Sequence, residues 1–470
     1  MSAPIKLVVI GAGPGGYAAA FLAADLGLDV TIVEKEINPG GVCLYRGCIP
    51  SKAFLHVAKI ISEAKHATKF GIDYSAPKID IKKLLDWKKG IVSKLTGGLG
   101  QLTKARKIRY IQGSASFVNS QSLTVKKTDG TSEEVVFDKA ILATGSRPST
   151  LPHAPKSPHI WDSTAALDTD HIPESLLVIG GGYIGMELGT VYHELGTKVS
   201  VVEMLSSLLP GADPDLADVL NKRVKGMFAN IFLETKVLKM DESSNGITVT
   251  FADKDGKEFK HEFSKVLISI GRKPNSENLG LENTKVKVLP RGFVQVNDQR
   301  RTNDDNIYAI GDIAGDPMLA HKASHEGRVA VESIAGHKVA FEPQAIPAVV
   351  FTDPEIAWCG ITEGDAQKQG KDVRVVKFPW AASGRALTLD RQDGLTKLII
   401  DPKTERILGV GIVGVGAGEM IAEGVLAVEM GCVANDLKLT IHAHPTMSET
   451  VMETAEMFFG TSTHVYRPKK

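Results

Sequence analysis

The apolar and polar positions of this chain repeat one design twice. IKLVVIGAGPGGYAAAFLAADLGLDVTIVEKE begins with an apolar run from Ile5 to Ile10, turns on glycines, continues as an alanine-rich helix, and ends in a β-branched strand closing on Glu34. SLLVIGGGYIGMELGTVYHELGTKVSVVEML aligns with it without a gap at an offset of 169, so Gly11, Gly13, Gly16, Gly27, Val30 and Glu34 fall on Gly180, Gly182, Gly185, Gly196, Val199 and Glu203. Each half then closes with the same strand and glycine turn, DKAILATGSRP in the first and SKVLISIGRKPN in the second. A third such strand, Asn306 to Gly315, ends in an aspartate.

Between the units, the pattern predicts a helix over Val57–Lys69 and a longer one from Ile81 that ends around Gly97–Gly100. Ile108–Thr128 reads as strands with polar turns. After about Ile346 the texture changes, with strands at Val373–Trp380, Leu395–Asp401 and Ile407–Val413 and helices at Glu419–Glu429 and Ser448–Phe459. The expected architecture is α/β: two Rossmann-like dinucleotide-binding domains followed by an α+β domain on an antiparallel sheet. The expected boundaries are 1–148 with 276–346 for the first domain, 149–275 for the second and 347–470 for the third.

Length agrees, because 470 residues exceed one ordinary core. The 55 basic and 55 acidic residues cancel, so no dominant basic field exists to hold nucleic acid or an anionic membrane. No apolar run approaches the roughly 18 residues needed to span a bilayer. The first strand follows the N-terminus directly, leaving no room for a signal peptide, and a cytoplasmic protein is expected. Only four cysteines occur, Cys43, Cys48, Cys359 and Cys432, too few for a secreted disulfide framework of this size.

Chemistry concentrates at three places. In GAGPGG, Gly11 permits the turn, Gly13 admits a pyrophosphate and Gly16 lets the helix pack on the strand, while Glu34 can accept hydrogen bonds from a ribose. GGGYIG, with Gly180, Gly182 and Gly185, offers the same to a second nucleotide. Glu203 there binds a 2′-hydroxyl and repels a 2′-phosphate, which predicts NAD rather than NADP. GGVCLYRGCIPSK places Cys43 and Cys48 just past the first unit. They read as a redox pair, with structural burial and half a zinc site as alternatives, and zinc lacks further ligands at suitable spacing. A helix starting nearby and Lys52 would favour a thiolate, while Cys359 and Cys432 read as packed thiols. In HAHPTMSE, His444 and Glu449 are candidates for a base and its orienting acid. His442 competes, but only His444 precedes a proline.

These motifs, in this order over nearly the whole chain, resemble the flavin-dependent pyridine nucleotide–disulfide oxidoreductases. The resemblance implies FAD on Gly11, Gly13, Gly16, Glu34, Thr144, Gly145 and Asp312, with Lys52 beside the flavin and Glu187 as its partner. It implies Tyr183 and Ile184 near the nicotinamide, and Gly113, Ser146, Ala320, Val237 and Gly271 as further cofactor-binding positions. It implies a homodimer joined by the C-terminal domain, with His444 and Glu449 completing the other subunit's site. No metal is expected. Within the family, Glu203 and a tail without cysteine, TSTHVYRPKK, point to the branch that oxidises dihydrolipoamide carried on a lipoyl-domain protein. Such enzymes serve the dihydrolipoyl acyltransferase core of a 2-oxo acid dehydrogenase complex, or glycine cleavage. In that scheme the substrate attacks Cys43, taken as the more accessible sulfur, and Cys48 leaves as a thiolate against the flavin. A glutathione- or mercuric-type reductase, an NADH oxidase and a non-catalytic flavoprotein scaffold are the alternatives. Two departures stand out: Leu44, Tyr45 and Arg46 in the disulfide loop, where Arg46 adds a charge between the cysteines, and Met447 where leucine is common.

Overall fold

In the computed structural model, which describes residues 3–466, parallel strands Lys6–Ile10, Asp29–Glu34, Lys139–Leu142 and Ile307–Ala309 form one side of the first sheet, with Ile307–Ala309 at its edge. Their burial is nearly complete, as expected of β-branched strands covered on both faces. Helix Pro14–Asp25 covers this sheet together with Ala320–Ile334. Glycine decides how closely those helices approach. A Cβ on Gly15 would lie 2.9 Å from the Ala323 carbonyl oxygen, and one on Gly327 would lie 2.8 Å from that of Gly15. On its other edge the sheet continues through Arg109–Asn119 into an antiparallel hairpin, Ser122–Lys127 and Ser132–Val136.

The second unit builds a five-stranded parallel sheet from Ile160–Trp161, Ser175–Ile179, Lys198–Val202, Asn230–Phe232 and Lys265–Ile268. A three-stranded antiparallel sheet, Lys236–Glu242, Ile247–Ala252 and Glu258–Phe263, packs beside it. The units are stitched together where Ser146–Pro148 pairs with Arg272–Pro274, the two ends of the matching strand-and-turn devices.

The C-terminal domain is an antiparallel sheet of five strands, ordered Ala348–Val350, Glu355–Gly360, Ile407–Gly414, Leu395–Ile400 and Arg374–Pro379. Helices Ala417–Glu429 and Glu449–Phe459 cover it, with Ala434–Leu439 alongside. The domains share apolar contacts: one cluster unites Phe54 and Ala58, Met186 and Leu216, and Val350, Ile356 and Val413. Each fully buried side chain of this kind contributes about 1.5–3 kcal/mol. Among the described residues no helix is long and apolar enough to cross a membrane.

Two expected helix boundaries move. The helix placed at Val57–Lys69 starts at Cys48 and runs to His66. The helix from Ile81 does not stop at Gly97–Gly100 but continues to Ala105, and Asp80 caps its start by accepting from Lys83 N–H. Gly100 has a packing reason to stand mid-helix, since a Cβ there would lie 2.1 Å from Asn38 Oδ1. The tail motif TSTHVYRPKK extends past the described residues at 467–470.

Candidate active site

Both glycine turns are made by contacts that exclude a side chain. Gly11 has φ +97°, and a Cβ on Gly16 would sit 2.0 Å from the Gly11 carbonyl oxygen. In the second unit Gly180 has φ +103°, and the Gly185 to Gly180 approach is 2.2 Å. The closing acids tie each turn to its second strand: Glu34 Oε2 accepts from Ala12 N–H at 2.7 Å, and Glu203 Oε2 accepts from Gly181 N–H at 2.7 Å. The sequence repeat is therefore also a repeat of hydrogen bonds.

A cavity of about 870 Å³ runs along the first turn. Gly11, Gly13, Gly16, Glu34, Cys43, Cys48, Lys52, Gly113, Thr144, Gly145, Ser146, Tyr183, Ile184, Glu187, Asp312 and Ala320 all line it. Gly180, Gly182, Gly185, Glu203, Val237 and Gly271 do not. The glycines and Glu203 belong to the second unit's own turn, and Val237 packs against that unit's core. Size and lining fit FAD: a glycine cradle and helix N-terminus for the pyrophosphate, Glu34 for the ribose, and a hydroxyl–carboxylate pair, Ser146 to Asp312, farther along. Arg272 also lines the cavity and was not anticipated. It donates to the Ser146 hydroxyl at 2.7 Å and to the Ser146 carbonyl at 2.8 Å. Its position immediately after Gly271, in the strand-and-turn device that matches the one holding Ser146, was the available signal.

Cys43 lies in helix Gly41–Arg46, and Cys48 is the first residue of helix Cys48–His66. Both are free thiols and hydrogen-bond to each other. That bond keeps the proton on Cys43 and, with burial, pushes its pKa far up. The same bond lowers Cys48 to about 7, with desolvation opposing and the Lys52 ammonium and the helix N–H assisting. Cys48 stands at the open helix start on the wall of the flavin cavity, whereas Cys43 is inside a helical turn and half-buried. Arg46 likewise differs from expectation: its guanidinium is paired with Glu36, and Lys52 is the cation that acts on the sulfurs.

Lys52 Nζ donates to Glu187 Oε2 at 2.8 Å and sits 4.4 Å above the Phe351 ring. The other oxygen of the buried Glu187 accepts from Phe351 N–H at 3.0 Å. One carboxylate thus joins the cysteine helix, the second unit and the C-terminal domain.

His444 and Glu449 pair as expected, Nδ1 to Oε1 at 2.9 Å, and Thr446 N–H donates to the other carboxylate oxygen at 2.7 Å. Against a desolvation that would raise it, Thr446 N–H and His444 hold Glu449 below the usual carboxylate range. His444 is 76 % exposed and lies outside the cavity of its own chain. His442 has both ring nitrogens occupied, by the Thr440 carbonyl at 2.9 Å and by Glu423 at 2.7 Å, which suits a structural role.

Two dinucleotide-binding domains, a thiol pair beside the first and a helical cover on an antiparallel third domain define a flavin-linked disulfide oxidoreductase. The chain belongs to the pyridine nucleotide-disulphide oxidoreductase family, whose model matches residues 5–327, with the family's dimerisation domain matching 346–455. Its cofactors are FAD and NAD. It is 49% identical to the dihydrolipoyl dehydrogenase of Vibrio cholerae over 100% of this chain and 99% of that one. It is 50% identical to the dihydrolipoyl dehydrogenase of Haemophilus influenzae, covering 100% and 98%. Among solved structures, LpdA from Mycobacterium tuberculosis superposes with a TM-score of 0.90 at 27% identity, over 96% of this chain and 99% of that one.

Proposed function

We propose that the protein oxidises dihydrolipoyl groups to lipoyl groups and reduces NAD⁺ to NADH, through the Cys43–Cys48 pair. The observation that carries this is the asymmetry of the pair at a cofactor-sized cavity, with one sulfur lowered to about 7 and its partner held protonated. Full-length relatives named for this activity support it.

With the pair oxidised, His444 removes a proton from the incoming dithiol, and Glu449 steadies the imidazolium that forms. The substrate sulfur attacks Cys43, and the Cys43–Cys48 bond breaks with Cys48 leaving as thiolate. The sulfur of lower pKa is the better leaving group. The second substrate thiol then attacks the mixed disulfide, releasing cyclic disulfide and Cys43. FAD, held by Gly11, Gly13, Gly16, Glu34 and Asp312, would supply the two-electron chemistry that links the Cys48 thiolate to hydride transfer onto NAD⁺. Overall two thiols lose two electrons and two protons, one proton leaving with NADH and one to solvent. Lys52 stabilises the Cys48 thiolate, and Glu187 holds Lys52 in place.

Residues 1–148 with 276–346 bind FAD, 149–275 bind NAD, and 347–470 form the interface domain. In the homodimer, His444 of the partner subunit faces each cysteine pair. The lipoyl donor is a lipoyl-domain protein on a dihydrolipoyl acyltransferase core, in the cytoplasm.

The test is NAD⁺ reduction by dihydrolipoamide, beside NAD(P)H-driven reduction of glutathione disulfide and of Hg²⁺. Turnover with dihydrolipoamide at least a hundredfold above the others is expected. Faster glutathione or mercuric reduction would replace this reading with another reductase of the family, and full flavin with no turnover would make the chain a scaffold.

A further inference from the structure

Lys397 is an unusual residue to find in a sheet: its side chain is 1 % exposed, on strand Leu395–Ile400 of the C-terminal domain. Its ammonium reaches three carboxylates, Asp213 Oδ2 at 2.6 Å, Asp215 Oδ1 at 2.8 Å and Glu363 Oε1 at 2.8 Å. Asp213 and Asp215 belong to the second nucleotide unit, whereas Glu363 lies on the same domain as Lys397. Lys377 adds a second ammonium, 2.7 Å from Asp215 Oδ2 and 3.0 Å from Glu363 Oε1. Asp213 also accepts from the Glu363 N–H at 3.0 Å. The three carboxylates are close enough together to hold a cation, but the two ammonium groups already occupy that place.

What Asp213 terminates gives the cluster its meaning. The segment from Glu203 to Asp213 turns back on the second glycine loop. Leu209 N–H donates to the Gly181 carbonyl at 2.9 Å, and a Cβ on Gly181 would meet Leu208 Cδ2 at 2.4 Å and Glu203 Oε2 at 3.3 Å. Leu209 holds φ 53°, a left-handed conformation that a leucine keeps only when its surroundings impose it. Leu208, Leu209 and Leu216 are buried in a cluster shared with Val350, Ile356 and Val413 of the C-terminal domain. Gly411 leaves room for the device, since a Cβ there would lie 2.8 Å from Leu216 Cδ1 and 3.1 Å from Lys397 Cε.

We infer that Lys397, through Asp213, is a positioning residue for the nicotinamide nucleotide. The C-terminal domain braces the 203–213 segment and so fixes the Gly181 loop and Glu203 against which that nucleotide binds. Neither lysine lines the flavin cavity, so the brace acts on one half of the reaction only. The inference rests on the proposed assignment of the second unit to NAD.

The test is equilibrium titration of NADH into flavin-loaded full-length protein, with KM for NAD⁺ and rapid-mixing reduction by dihydrolipoamide alongside. Lys397→Met and Asp213→Asn should each weaken NADH binding and raise KM for NAD⁺ at least fivefold. Flavin content and the rate of dihydrolipoamide-driven flavin reduction should stay within twofold, and Lys397→Arg should recover most of the affinity. If Lys397→Met gives no folded protein, Glu363→Gln, at a partly exposed position, decides with an expected two- to fivefold loss. Unchanged NADH affinity in folded variants would overturn the brace and leave the cluster as a domain fastener. Equal losses in both half-reactions would overturn it too. Failure of the unaltered protein to bind NADH would instead refute the NAD assignment itself.

Discussion

At the scale of single residues the site separates two sulfurs by what surrounds them. Cys48 has a helix start, a cationic neighbour and a hydrogen bond from Cys43, while at Cys43 the bond that retains its proton, together with burial, outweighs the pull of Lys52. Cys43→Ser should therefore keep the long-wavelength band of a thiolate lying against oxidised flavin, and Cys48→Ser should abolish it. Absorbance spectra check this, and the opposite pattern would exchange the two roles. In the reduced protein the thiolate should appear as pH rises through about 7, because the lowered pKa populates it above that value and protonation removes it below. For the base, His444→Ala should reduce dihydrolipoamide oxidation by at least a thousandfold while NADH-driven dye reduction changes by less than threefold. The cysteines, Lys52, His444 and Glu449 were legible as residues. Exposure was not, because it depends on which sulfur stands at a helix end. Nor was the neutralisation of Arg46, because Glu36 approaches it only through the fold.

Elements carry the nucleotide sites, and the sequence repeat worked because Gly11 and Gly16, like Gly180 and Gly185, answer close backbone contacts. Gly16 faces the Gly11 carbonyl, which cannot retreat without unmaking the turn. Gly16→Val should lower flavin content below a tenth of normal, read as the flavin-to-protein absorbance ratio. With Glu203 as the proposed ribose acceptor, NADH should be preferred to NADPH by about a hundredfold in kcat/KM, and Glu203→Ala should shrink that margin about tenfold. The helix Ile81–Ala105 was harder to delimit. Its glycines resemble a stop signal, yet Gly100 is there to admit Asn38 from another segment, a reason no local pattern contains. Strands Ala348–Val350 and Glu355–Gly360 were missed because they are short and flank Asp353–Pro354, and the pairing that fixes the second, with Ile407–Gly414, is distant in sequence.

Across the whole molecule, the three domains converge on buried charges. Glu187 unites the cysteine helix, the second unit and the C-terminal domain, and Lys397 ties the last two together at a separate place. Removing one partner of such a pair costs about 3–5 kcal/mol, so Glu187→Leu should lower the unfolding midpoint as well as turnover. The proposed mechanism takes His444, exposed on its own chain, from the partner subunit. Coexpressed Cys48→Ser and His444→Ala chains, each inactive alone, should regain about a quarter of normal activity, since half of randomly mixed dimers hold one intact site. No recovery would place the base and the disulfide on the same chain.

The most direct measurement is anaerobic rapid mixing of the oxidised, flavin-loaded protein with dihydrolipoamide, followed by NAD⁺. A long-wavelength band is expected on the first addition, absent in Cys48→Ser, and NADH in stoichiometric yield on the second. Flavin bleaching at an unchanged rate in Cys48→Ser would contradict it, because electrons would then reach the cofactor without passing through the cysteine pair.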